Sequence, residues 1–220
     1  MATRRHALAL AAGSCVSGLS SPPVWAADQP ALTDLQFEIF MGDERIGTHQ
    51  VAFQGDNSDF VERTQLRIKV TRLLITAFRF EQDVTAHWQN GQMVTLETDT
   101  LRNRKQSKVK AWREGDRLKI VGDKNESVAP LGVMTDVSWW HPAIIDQERV
   151  VDTDKGSLQQ IDVVDSAGDK VTVMDQQIRA ERHRILADDR TVSLWFAPEL
   201  GWVRGQLVLP KATLDFVRTT

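Results

Sequence analysis

Cysteine occurs once in the 220 residues, at Cys15, and tyrosine does not occur at all. A lone cysteine excludes an internal disulfide framework and any metal site built from several thiolates. Past the first 26 residues no stretch is long and apolar enough to cross a bilayer as a helix. Positive charge is not in excess either: 27 Lys and Arg stand against 30 Asp and Glu, a net charge of −3. That balance argues against a general nucleic-acid binder. There is no Gly-x-Ser-x-Gly nucleophile elbow, no cofactor motif, no internal repeat and no low-complexity segment.

The first residues read as a leader. Arg4-Arg5 is followed by a short, small-residue apolar stretch over Ala7–Leu19, a breaker-rich Ser20–Pro23, and Val24-Trp25-Ala26. This is the pattern of a secretory signal, with cleavage expected after Ala26 and a destination in the periplasm. The paired arginines suit the twin-arginine route, but the aromatic usual after the spacer is missing, so the general route stays equally open. Cys15, in Ala-Gly-Ser-Cys, is a poor match to a lipoprotein box. Removal of the leader takes the only cysteine, one of the seven Trp, and both Arg4 and Arg5; the remainder, 27–220, has a net charge of −5. Such a chain is long enough for one sizeable core, held by packing without disulfides.

The organising stretch is 77–100. Phe78, Phe80, Val84, Ala86 and Trp88 alternate with Arg79, Glu81, Asp83, Thr85 and His87. Period two marks a strand with one buried face. Asn90-Gly91 follows, the strongest short hairpin signal, and Val94, Leu96 and Thr98 return on the second arm. Upstream, Leu35–Met41 alternates, His49, Val51 and Phe53 share a face, and 61–73 points Leu66, Ile68 and Val70 inward. Downstream, 108–113 and Leu118-Lys119-Ile120 complete a meander of seven antiparallel strands. Residues 123–137 read as a long loop, and Pro142 opens a short helix to about Gln147. Strands resume at 159–164, 171–185, 192–196, 202–209 and 212–217, with a turn expected at Ala167-Gly168-Asp169. The fold expected is all-β: a single antiparallel domain, a strongly curled sheet or wide β-barrel of about a dozen strands, with 123–147 as a short helix/loop lid or plug. A sheet of that size curls to shelter its edges. A two-sheet sandwich is the alternative.

Trp88 ahead of Asn90-Gly91, the Thr98–Thr100 segment, Trp139-Trp140-His141-Pro142, Val192-Ser193-Leu194-Trp195-Phe196 and Gly201-Trp202-Val203 together resemble a family of exported bacterial proteins known only as a domain of unknown function. The resemblance spans nearly all of the mature chain. It implies an exported antiparallel β protein and carries no catalytic residues. Phe196 and His183 stand where members often have Tyr.

Four histidines lie beyond the leader, His49, His87, His141 and His183, and none pairs with another at helical metal-ligand spacing. No metal and no cofactor is therefore expected. Only His49 lies on an apolar face. Ser138 near His141 invites a hydrolase, at weak spacing. Adjacent Trp139 and Trp140 point to opposite sides of an extended chain, so one can seal the core while the other lines a pocket. Ligand-lining candidates are Trp88, Trp139, Trp140, His141 and Trp195. The expected activity is non-enzymatic: an apolar or amphipathic, lipid-like small molecule held in the concave face of the sheet. A dry-cored structural protein acting through its surface is the alternative, and an exported hydrolase the third reading. The basic turn at Arg102–Lys108 is a solvated hairpin tip or a contact for anionic headgroups.

Overall fold

A computed structural model describes residues 32–73 and 75–220. The leader expected over residues 1–26, with Cys15 and Arg4-Arg5, lies outside the described residues. Eight strands run in sequence: β1 (Leu35–Met41), β2 (Glu44–Asp56), β3 (Asp59–Arg72), β4 (Ile75–Gln89), β5 (Gln92–Arg102), β6 (Lys105–Glu114), β7 (Arg117–Gly122) and β8 (Glu126–Pro130). An insertion follows, with β9 (Met134–Thr135), a 3-10 turn (Pro142–Asp146), β10 (Arg149–Val151) and β11 (Leu158–Gln160). The last five strands are β12 (Asp162–Val173), β13 (Gln176–Ala187), β14 (Arg190–Ala197), β15 (Gly201–Leu209) and β16 (Ala212–Arg218).

Thirteen strands make one antiparallel sheet in the order β12-β13-β14-β15-β16-β1-β2-β3-β4-β5-β6-β7-β8. The sheet is curled and not closed. The first and last described strands meet in its middle, where β16 pairs with β1 and Phe37 faces Arg218. The free edges, β8 and β12, are the strands that flank the insertion. Short turns between sequence neighbours make this order nearly automatic. At the β4–β5 turn Asn90 and Gly91 have φ of 49° and 73°. Both positive angles are what a two-residue hairpin of right-handed twist requires.

Alternation decides the faces. Phe60, Glu62, Thr64 and Ile68 of β3 and Val84, Ala86 and Trp88 of β4 are buried together on the concave side. The insertion contributes to the same core: Val133, Met134, Val137, Trp140, Ile144, Val150 and Val151 are all buried in it. Inside, β10 pairs antiparallel with β11 and parallel with β9. A second, smaller cluster of Val171, Val173, Ala180, Trp195, Ala197 and Val203 belongs to β12–β15. Arg182 pairs with Trp195 and His183 with Leu194, so Trp195 lies on the face opposite Leu194 and the main core.

Two expectations require correction. Residues 123–137 are not one loop, because Glu126–Pro130 pairs with β7. Ala167-Gly168-Asp169 is not a turn: β12 runs through it, and the chain reverses at Met174-Asp175, both at positive φ. Neither is Gly or Asn, so the turn carries little signal in the sequence. Among the described residues no helix is long and apolar enough to cross a membrane.

Candidate functional site

Trp139 and Trp140 divide the interior. Trp140 enters an aromatic group with Phe53, Phe60, Trp88 and His141, at centroid separations of 4.8 to 5.8 Å. Trp139 turns the other way, meeting Trp202 and Phe216 edge-on at 5.7 and 5.1 Å. Both lie in the turn closed by the His141 N–H donating to the Ser138 carbonyl at 3.2 Å, and the two side chains enter different halves of the core.

The Trp140 half surrounds a carboxylate. Glu62 is buried, its two oxygens accepting from Thr64 Oγ1 at 2.8 Å and Trp88 Nε1 at 2.9 Å. Burial pushes its pKa up to about 7 against the pull of Thr64, Trp88 and Trp140. Trp140 Nε1 favours the carboxylate's charge although it makes no hydrogen bond of ordinary geometry. His141 Nδ1 accepts from the Ala143 N–H at 3.1 Å and so caps the 3-10 turn. Burial lowers the His141 pKa to about 4. Ser138 Oγ is hydrogen bonded to Thr135 Oγ1 at 2.8 Å and accepts from the Thr135 N–H. This half is closed to solvent, with Glu62, Trp88, Ser138, Trp140 and His141 all buried.

The Trp139 half is open to solvent and hollow. A cavity of about 210 Å³ is bordered by Leu66, Ile68, Phe78 and Phe80 from β3 and β4, by Leu207, Leu214 and Phe216 from β15 and β16, and by Trp139. A smaller void of about 50 Å³ adjoins it, sharing Asp136, Trp139, Arg190 and Leu207. The polar part of the wall is mostly satisfied. Gln82 Nε2 donates to Thr100 Oγ1 at 2.9 Å and Thr153 Oγ1 at 3.0 Å, and Thr153 Oγ1 donates to Asp136 Oδ1 at 2.7 Å. Burial and the nearby Asp152 raise the Asp136 pKa.

His49 is the exception. It borders the cavity, is 1% exposed, and neither ring nitrogen has a hydrogen-bond partner. Phe37, Trp139, Trp202 and Phe216 surround it at centroid distances of 5.3 to 6.2 Å. Desolvation lowers its pKa to about 3, so the ring is uncharged at neutral pH and presents one donor and one acceptor. Buried polar atoms are nearly always paired, and an unpaired one beside a cavity points to a partner that occupies the cavity.

The rim is charged. Arg102 lies over the Phe80 ring at 4.8 Å and pairs with Asp154 at 2.9 Å. Lys155 pairs with Asp152 at 3.0 Å and Arg190 with Asp136 at 3.3 Å. Asp188, which accepts from Gln159 Nε2 at 2.7 Å, and Asp189 also border the mouth, so five carboxylates there face three cations. The rim is thus left with a surplus of negative charge.

Of the ligand-lining candidates, Trp139 borders the cavity. Trp88, Trp140 and His141 come together in the closed half, and Trp195 lies on the opposite face of the sheet. His49 stands on an apolar face in the sequence, and nothing local marks it as a cavity residue. Gln82, Thr153 and the rim aspartates converge only through the fold and carry no local signature. Among the described residues no group of three or more His, Cys, Asp or Glu is placed to hold a metal ion.

The chain matches the family described as Domain of unknown function (DUF6134) over residues 37–219 and belongs to it. The crystal structure of a beta-barrel-like protein of the domain of unknown function DUF1849, from Brucella abortus, is similar in fold. Its TM-score is 0.56 at 8% identity, covering 85% of this chain and 95% of that one. No curated protein matches the chain.

Proposed function

We propose that this member of the DUF6134 family binds a single-chain amphipathic molecule in the cavity beside His49, without catalysing a reaction on it. The carrying observation is the buried, unpartnered imidazole at the edge of a largely apolar hollow. Volume limits the ligand. A hollow of about 210 Å³ lies between an apolar cavity of about 150 Å³ that takes benzene and the roughly 300–1,000 Å³ of drug-sized sites. One slender chain fits and a two-chain lipid does not.

Chemistry limits it further. A neutral imidazole among four aromatic rings favours an uncharged oxygen, a hydroxyl or ester carbonyl, over an anion that would lose its hydration there. The surplus negative charge at the rim disfavours an anionic end as well. The probe pair that tests this is 1-decanol against decanoate. Calorimetry is expected to show saturable binding of decanol and weaker binding of decanoate at pH 7. Trp139→Phe should keep the heat of binding but lose the change in Trp emission. Absence of heat and of any emission change with both probes would favour a dry-cored protein acting through its surface. The leader-like residues 1–26 support a periplasmic site of action, which cell fractionation tests.

A further inference from the structure

The β3–β4 hairpin outruns its neighbours. The β2 ladder along β3 ends at the Gly47–Ile68 pair, and the β5 ladder along β4 begins at the Phe80–Arg102 pair. Among the described residues, no strand flanks the hairpin beyond these two pairs. At its tip Leu73 is 96% and Ile75 71% exposed. Leu73 also holds φ at 48°, a conformation that bulky side chains seldom adopt and that Gly or Asn would adopt at less cost. A strained aliphatic residue displayed to water at a turn is contrary to what folding alone selects.

Charge around the tip has one dominant sign. Residues 69–79 contain Lys69, Arg72 and Arg79 and no acid, and the β5–β6 turn contains Arg102, Arg104 and Lys105 and no acid; Arg79 is paired with Glu81 and Arg102 with Asp154, so Lys69, Arg104 and Lys105 supply the basic excess. The two turns are tied together, since Asn103 N donates to Arg79 O at 2.7 Å and Arg79 N donates to Asn103 Oδ1 at 3.0 Å. On the other flank the β1–β2 turn sets Asp43 and Glu44 against Arg45, a single net negative charge. A locally basic apex on a chain of net charge −3 is a feature of placement and not of composition.

We propose that this hairpin docks the protein on an anionic membrane surface, with Leu73 and Ile75 entering the interface and the basic collar meeting lipid phosphates. Apolar insertion and headgroup attraction each add to such binding, and the second is screened by salt. Docking itself does not depend on the cavity's being a binding site.

Sedimentation with mixed phosphatidylcholine–phosphatidylglycerol vesicles tests it, using the full chain without added ligand. Wild type is expected to sediment at low salt and to be released as salt rises. The double variant Leu73→Ser, Ile75→Ser should lose about a hundredfold in partitioning, as expected for removing two buried aliphatic side chains, while its melting temperature and decanol binding stay unchanged. Arg104→Glu should weaken binding and flatten the salt dependence. No sedimentation at low salt, equal sedimentation of the tip variant, or equal binding to pure phosphatidylcholine would each overturn the proposal.

Discussion

His49 and Glu62 are buried in one interior with opposite protonation preferences. His49 is uncharged above about pH 3, and Glu62 keeps its proton up to about pH 7. Their linkage signs differ. Glu62 ionises in the unfolded chain above its ordinary 4.5 but stays neutral in the fold to about 7, so it removes stability as pH rises through that window. For His49 the unfolded chain binds a proton below its ordinary 6.5 that the fold refuses down to about 3, so stability grows as pH rises between them. The Glu62 window corresponds to about 3 kcal/mol. Glu62→Gln keeps the shape and removes the titration. Urea unfolding at pH 4.5 and 7.5 should show its stability relative to wild type improving by about 3 kcal/mol with the rise in pH. An unchanged difference would mean that Glu62 is not desolvated. Alternation along β3 legibly turned Leu66, Ile68 and Val70 inward. The same parity run back reaches Thr64, Glu62 and Phe60, but a carboxylate rarely takes a buried position, so residue type spoke against the pattern.

Hairpins are the elements from which the sheet is assembled, and their turns vary in what they require. Gly91 has open space around the position of a Cβ, so its only demand is φ of 73°. Gly91→Val should therefore cost about 1–3 kcal/mol from backbone strain alone, read as a fall in the urea midpoint with an unchanged m-value. Gly91→Asn should recover most of it, and equal loss in both would point to sterics instead. Gly122 makes the contrasting demand: a Cβ there would sit 2.2 Å from the Lys155 carbonyl oxygen, where β7 meets the insertion. Turns with an Asn-Gly signal were legible; Met174-Asp175 was not, because one of its two positive φ values rests on Met, which seldom marks a turn, and Asp175 alone is a weak signal. The projecting β3–β4 tip was equally silent. Alternation reports which face a residue takes and not where a neighbouring strand stops.

The described molecule is a sheet whose sequence neighbours pair and whose first and last strands pair, so its order follows from local turns and one long-range pairing, β16 with β1. That much was legible as a curled antiparallel sheet of many strands. The cavity was not, since its walls come from β3–β4 and β15–β16, and its rim from the insertion and the β13–β14 turn. Convergence of that kind has no period. The central claim is that His49 is kept for a ligand at a cost to the fold, and His49→Leu tests it most directly. An apolar side chain of similar size removes two unpaired polar atoms, which is worth about 1–3 kcal/mol. One series of thermal melts with and without 1-decanol reads both consequences. The account predicts that the free variant melts above wild type at pH 7 and that decanol raises its midpoint less. A variant that melts lower, or that decanol stabilises as much as wild type, would contradict it.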